Sequence, residues 1–244
     1  MTDHGVHGGS ASAPAARAAA PARRGRPPST ALNRDRILDA ARTLVEREGP
    51  DALTLRRLGA ELGSNHTAVL RHFSGKEDIL LGLAEQLIEE AVTGYEPTDS
   101  WRETLAGLAR RVRSACLTHP QVAAVVAGRV SRRDAEFRGA DLVIGALKQA
   151  GFGDREAARY YRALADTALA MGAQEAALAA LDGAAREGDR LAWRREYLAV
   201  SPTAYPHLAS VAPHLAAADE DDQFETVLGL LLDAVELRAP HEPR

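Results

Sequence analysis

Leu53-Thr-Leu-Arg-Arg-Leu-Gly-Ala-Glu-Leu-Gly63, followed by Ser64-Asn-His-Thr-Ala-Val-Leu-Arg-His-Phe73, decides the fold. Thr54 is a good helix N-cap, and Leu55, Leu58 and Leu62 recur on one helical face. Gly63 breaks that short helix, and Ser64-Asn65 can cap another reaching about Phe73. Two short helices joined by a tight turn make a helix-turn-helix. With Val69 and Phe73 facing inward, His66, Thr67, Leu70 and Arg71 face outward. So short and polar a face suits insertion into a DNA major groove.

The flanking sequence completes a small unit. Asn33 caps a helix whose Ile37, Leu38, Ala41, Leu44 and Val45 share a face, and Gly49-Pro50 stops it. Ser74 and Glu77 have the spacing of a capping box and open a longer helix with Ile79, Leu80, Leu83, Leu87 and Ile88 inward. The pattern then stays helical. Ser100 with Glu103 opens a helix to about His119, and Pro120 begins a short one through Gly128. Helices are expected over 134–149 and 154–181. Residues 182–200 read as a loop with a short piece around Trp193 and Tyr197, and 205–217 as a helix interrupted by Pro206 and Pro213. The acidic run from Asp219 to Asp222 suits the start of a last, strongly apolar helix, because acid complements the positive end of a helix dipole. No β-run or internal repeat stands out, so the class is all-α.

Composition agrees. Of 244 residues, 45% are hydrophobic and only 5% aromatic, with Ala prominent, which favours helix over sheet. A single cysteine, Cys116, excludes an intramolecular disulfide and a cysteine zinc cluster. No run approaches the ~20 apolar residues of a membrane span, and Arg23-Arg24 is followed by Gly25-Arg26-Pro27-Pro28-Ser29 rather than an apolar export segment. A cytoplasmic protein without membrane contact is expected. The net charge of -4 hides a gradient. Residues 1–33 carry four arginines against Asp3, residues 34–83 balance, and the remainder is acidic. That asymmetry hints at an anionic partner near the N-terminus.

Candidate contacts follow from position. Arg56 can reach a guanine in bidentate fashion, and Thr54, His72 and Lys76 sit where they can hold phosphates. Asn65 belongs to the same surface. Residues 1–31, rich in Ala, Gly, Pro and Ser, read as a disordered basic arm, in which Arg24 and Arg26 could enter a narrow minor groove. Ordinary solvated polar residues on a helical bundle would give the same spacing.

Residues 34–88 resemble the DNA-binding domain of the TetR family of bacterial repressors. The likeness rests on Ile37-Leu-Asp-Ala-Ala-Arg42, Gly49, the stretch from Leu53 to Gly63, and Arg71-His-Phe-Ser-Gly-Lys-Glu-Asp-Ile-Leu80. The C-terminal part is similar to the tetracycline-repressor type of effector domain, through Ser100-Trp-Arg102, Gly151-Phe152, Tyr160-Tyr-Arg-Ala-Leu164 and Leu230-Leu-Leu-Asp233. After the arm over 1–31, the resemblance implies a reader over 32–80 and a ligand-binding and dimerisation domain over 81–240. It implies a homodimer on a pseudo-palindromic double-stranded operator, released by a small effector, with Arg56, His66 and Thr67 on base edges and Thr54, His72 and Lys76 on phosphates. The family usually has Tyr where Leu70 stands and often Gly or Pro where Thr67 stands, so the operator sequence is in doubt rather than the fold. The helices over 154–181 and 219–238 would pair across the dimer.

Effector contacts are expected among polar or soft groups on apolar helices: Arg113, Cys116, Phe137, Tyr160, Thr167, Met171, Gln174 and Glu175, with Tyr161 nearby. Each would serve equally as plain packing or exposed surface. Gly172 reads as a close-packing or kink site. The positions corresponding to the tetracycline repressor's drug-side histidines fall in Val122–Ala127 and Glu89-Glu90-Ala91, which argues against a magnesium–tetracycline effector. No cofactor or metal is expected, and no catalytic motif is present. Rival readings are a small-molecule-binding module with weakened DNA reading, a thiol–base pair of Cys116 and His119, a redox sensor with Arg110 and Arg113 lowering the Cys116 pKa, and a metal site of His119, His207 and His214.

Removing residues 1–31 is expected to weaken operator binding and flatten its salt dependence in titrations at several ionic strengths. An unchanged slope would show that the arm touches no phosphate.

Overall fold

Apart from Met1, the computed structural model describes residues 32–217 and 220–240. Within these, eleven α-helices and one 3-10 turn account for the regular structure, and no strand occurs. The chain divides into two units, residues 1–31 and residues 32–244. Apart from Met1, the first lies outside the described residues, and with it Arg24 and Arg26, expected to enter a minor groove.

The head is built as its caps dictate. The Asn33 side chain accepts from Arg36 N–H at 2.8 Å and opens α1, Arg34–Glu48. Gly49 ends it with φ at 82°, and a 3-10 turn over Pro50–Ala52 follows. Thr54 accepts from Arg57 N–H to open α2, Leu55–Glu61. Gly63 N–H then reaches the Ala60 carbonyl at 3.0 Å and Ser64 N–H the Gly59 carbonyl at 2.8 Å, a Schellman stop with Gly63 at φ 62°. Asn65 caps α3, His66–Leu70, by accepting from Ala68 N–H at 2.9 Å. A Cβ on Gly59 would stand 2.9 Å from the backbone of Asn65 and His66, so only glycine lets α2 and α3 meet this closely.

The body follows. It comprises α4 (Lys76–Val92), α5 (Trp101–Thr118), α6 (Pro120–Val126), α7 (Asp134–Gln149), α8 (Asp154–Ala179), α9 (Gly183–Leu198), α10 (Pro206–Leu215) and α11 (Glu220–Glu236). One apolar cluster runs without a break from Ile37, Leu44, Leu58, Val69 and Phe73 in the head, through Leu83 and Leu87 of α4, to Cys116, Val122 and Ala176. A second cluster joins Leu105, Leu147, Phe152, Phe224 and Leu232. Head and body therefore share a core, with α4 common to both.

Four local expectations are corrected. Residues 183–198 form a full helix, capped by Asp182 accepting from Ala184 and Ala185 N–H. Its sparse apolar content disguised it as a loop. Residues 206–215 form one uninterrupted helix, with Pro206 at a first-turn position where no N–H is needed and Pro213 tolerated in the last turn. The third helix ends at Leu70 rather than near Phe73. The capping box at Ser74 does not form: Gly75 is the N-cap, and Ser74 N–H is bound instead by Asp78 Oδ2 at 3.0 Å. Glu77 is drawn outward to Arg129 at 2.7 Å.

Gly172 behaves as a close-packing site. A Cβ there would stand 2.9 Å from Cys116 Sγ, so its absence lets α8 lie against α5. Gly172→Ala is expected to cost about 1–3 kcal/mol in urea unfolding, the usual cost of overpacking a filled contact. An unchanged midpoint would mean that the two helices separate freely.

Candidate nucleic-acid interface and ligand cavity

Two regions carry chemistry. On the head, Val69 and Phe73 are fully buried while His66, Thr67 and Arg71 are exposed and Leu70 is 42% exposed. Thr54, Arg56 and Lys76 are also exposed, and His72 is half-buried. These residues form one polar ledge along α2, α3 and the start of α4. Thr54 and Asn65 already spend an oxygen lone pair on capping. Lys76 Nζ lies 3.5 Å from the Pro50 carbonyl, a contact too long to hold it firmly.

The two adjacent arginines differ. Arg57 is tied to Glu48 at 2.7 Å, and Arg47 bridges Glu48 and Glu61. Arg56 has no ion-pair partner among the described residues and stands free at the rim of α2. A free guanidinium beside a protruding α3 is what bidentate reading of a guanine requires. At the far end of the reading segment, the Arg34 guanidinium lies 3.9 Å over the Phe73 ring and donates to the His72 carbonyl. The exposed ledge is thus fixed to α1.

The body holds a cavity of about 670 Å³, within the range for a small organic ligand. Its walls are apolar, including Ile88 of α4, Leu108 of α5, Val143 of α7, Met171 of α8 and Phe224 of α11. Its polar side chains come from the loop between α6 and α7 (Arg129, Ser131), from α7 (Glu136) and from α8 (Tyr161, Arg162, Asp166, Thr167). Burial, and next the Glu136 carboxylate, push the Tyr161 phenol above its ordinary pKa.

Of the ligand contacts expected from sequence, Thr167 and Met171 lie on this lining. The other six lie elsewhere, engaged in packing or facing outward. Arg113 Nε donates to Glu175 at 2.7 Å, an ion pair closed within the α5–α8 contact. Cys116 is wholly buried against Gly172, and burial, then Glu175, raise its thiol to about 11. Arg110 is committed to Glu225 at 2.7 Å. The expectation that Arg110 and Arg113 would lower the Cys116 pKa is therefore overturned. His119 pairs with Glu90 at 2.9 Å. Tyr160 packs edge-on to Phe152 with centroids 4.9 Å apart, while Phe137 and Gln174 face outward.

Sequence reasoning missed the groups that join the two regions. Asp78, in the first turn of α4, accepts from Ser74 N–H, pairs with Arg34 at 3.4 Å and with Arg133 at 2.7 Å. Burial opposes its charge, but that N–H and the two guanidinium groups hold its carboxyl below the usual range. Glu85, two turns on, accepts from Ser131 Oγ and Ala135 N–H, both at 2.7 Å. Glu46 of α1 accepts from Val122 N–H at 2.9 Å at the start of α6. The 129–136 segment thus lines the cavity with one side and grips α4 with the other. The only signal in the sequence was the density of charges in Arg129–Asp134, which reads as surface.

A helix-turn-helix head sharing its core with a hollow helical body defines the class. Residues 37–83 match the family model for bacterial regulatory proteins of the tetR family, and residues 93–238 match that for the tetracyclin repressor-like C-terminal domain. The chain belongs to the TetR family. It is 30% identical over 209 residues to the tetracycline repressor protein class C of Escherichia coli, covering 84% of this chain and 91% of that one. It spans only 52% and 57% of the length of two other curated relatives. Among solved structures, one described as a possible TetR family transcriptional regulator from Streptomyces coelicolor A3(2) is 33% identical, with a TM-score of 0.71 over 84% of this chain and 99% of that one. The ActR protein of Streptomyces coelicolor in complex with actinorhodin shares the fold at 23% identity, with a TM-score of 0.76 over 86% of this chain and all of that one.

Arg56→Ala is expected to cost about 1–3 kcal/mol of operator affinity and to relax one base position. Equal losses on every sequence in a competition assay would make Arg56 a phosphate contact instead.

Proposed function

We propose that this protein is a ligand-responsive transcriptional repressor that binds a pseudo-palindromic operator as a homodimer and releases it when a small apolar effector fills the cavity. One observation carries the reading: the exposed ledge of α2 and α3 is tied through α4 to the polar wall of the cavity. Residues 32–80 act as the reader and 81–240 as the effector and dimer domain, without catalysis and in the cytoplasm. Thr54, Asn65, Leu70, Arg71, His72 and Lys76 flank the base-reading Arg56, His66 and Thr67, and the arm adds Arg24 and Arg26. Leu70 offers a base only apolar contact, such as to a thymine methyl.

Dimerisation through α8 and α11 is supported by apolar surface at α11, where Leu230 on the helix and Leu237 just past its end are 64% and 80% exposed. Two-fold symmetry would set the reading helices ~34–36 Å apart, one DNA turn. The effector must favour the DNA-incompetent arrangement by binding it more tightly. Going from 99% to 1% competent would take ~5.5 kcal/mol of that preference. Occupancy of the cavity displaces the 129–136 segment, and Arg133 and Glu85 transmit the displacement to α4 and so to the spacing of the ledges.

Selection of random duplex DNA by the purified, ligand-free protein at near-physiological salt tests the reading. An enriched inverted repeat with half-sites one turn apart is expected. No enrichment by folded protein would overturn the DNA-reading role and leave a helical ligand-binding module.

A further inference from the structure

The cavity contains one charge that the fold leaves unanswered. Its lining carries four ionic groups, Arg129, Glu136, Arg162 and Asp166. Arg129 pairs with Glu77 at 2.7 Å, and Arg162 pairs with Asp166 at 3.2 Å. Glu136 has no cationic partner among the described residues. Its Oε2 is held only by dipoles, accepting from Arg132 N–H at 2.8 Å and from Ser131 Oγ at 2.9 Å. Even the second of these is shared. Ser131 has one hydroxyl proton, and Glu85 Oε2 lies 2.7 Å from the same Oγ, so the proton cannot serve both carboxylates at once.

The consequence appears when the cavity fills. An empty cavity leaves Glu136 accessible to water, which answers its charge. A ligand that fills the space strips that water away, and a carboxylate losing its hydration destabilises the complex unless a positive group replaces it. The neighbouring Tyr161 ring adds a face to which a cation is attracted, and its phenol, raised by burial and by Glu136, stays neutral at physiological pH. Apart from the Thr167 hydroxyl, Ser131 and the paired ions, the rest of the wall is aliphatic or aromatic.

Resting on the reading of this cavity as the effector site, we propose that the effector is a cationic amphiphile: an apolar body that fills the space between α5, α8 and α11, carrying a protonated amine that docks on Glu136 beside Tyr161. An anionic or neutral compound of the same shape would leave Glu136 buried without a counter-charge. The 129–136 segment then senses the ligand directly, because the group that meets the amine belongs to the segment gripping α4.

The test uses 1-pyrenemethylamine, 1-pyrenemethanol and 1-pyrenecarboxylic acid, which share one fluorescent ring system and differ in charge at neutral pH. Each is titrated into the full-length protein and followed by fluorescence anisotropy. The amine is expected to bind about tenfold or more tightly than the alcohol, and the carboxylate weakest, the order a desolvated unpaired carboxylate imposes. Glu136→Gln keeps the acceptor oxygen for Arg132 N–H and is expected to bring amine and alcohol within about twofold of each other. Ser131→Ala disturbs the same loop but keeps the charge, and is expected to retain the amine preference. Equal or tighter binding of the carboxylate, or an amine preference that survives Glu136→Gln, overturns the proposal while leaving the cavity as effector site. Binding of none of the three to folded protein overturns the cavity reading and the proposal with it.

Discussion

The carboxylate of Asp78 stands where three parts of the chain meet, and the rest of the structure depends on its being ionised and fully engaged. Its oxygens take the Ser74 N–H, the Arg34 guanidinium of α1 and the Arg133 guanidinium of the loop before α7. A group so placed cannot lose one partner without leaving the others mispaired in a partly buried setting. The head is thereby bound to the body by directed polar contacts as well as by the shared apolar core. A greasy core alone would tolerate sliding; hydrogen bonds of fixed direction give the contact discrete arrangements.

The same division explains the two regions. On the head, Arg57 and Arg47 are paired off while the neighbouring Arg56 is not, and the protruding α3 is held from behind by Gly59, whose missing side chain brings α2 within backbone contact. In the body, Arg113, Arg110 and His119 are consumed by Glu175, Glu225 and Glu90. What is left without a counter-charge on the cavity wall is Glu136. In both places the chemistry resides in the charge that the fold does not neutralise.

The helices and the exposed ledge of α2 and α3 were legible in the sequence because they rest on local rules. Asn33, Thr54 and Asn65 cap as their residue types require, and Gly49 and Gly63 stop helices with positive φ. Inward Val69 and Phe73 fix which side of α3 faces out. The cavity was less legible. Periodicity shows that Arg113, Cys116 and Glu175 lie on apolar faces, but not that α5 and α8 close on them through Gly172. Thr167 and Met171, on the same helix, fall on the open side instead. The grip of Asp78, Glu85 and Glu46 on residues 121–135 spans long stretches of chain, and no local pattern encodes it. The same limit applies to α9, where a single Asp182 cap outweighs a weak apolar pattern.

Linkage between cavity and reading ledge can be measured directly. Operator affinity would be determined with and without saturating 1-pyrenemethylamine, alongside the affinity for the amine with and without operator. Coupling through the 129–136 segment requires both to weaken by the same factor, about tenfold or more, and requires Arg133→Ala to shrink that factor. An amine that binds the cavity while operator affinity stays unchanged would contradict the coupling, and the hollow body would then be a binding site with no hold on the DNA-reading head.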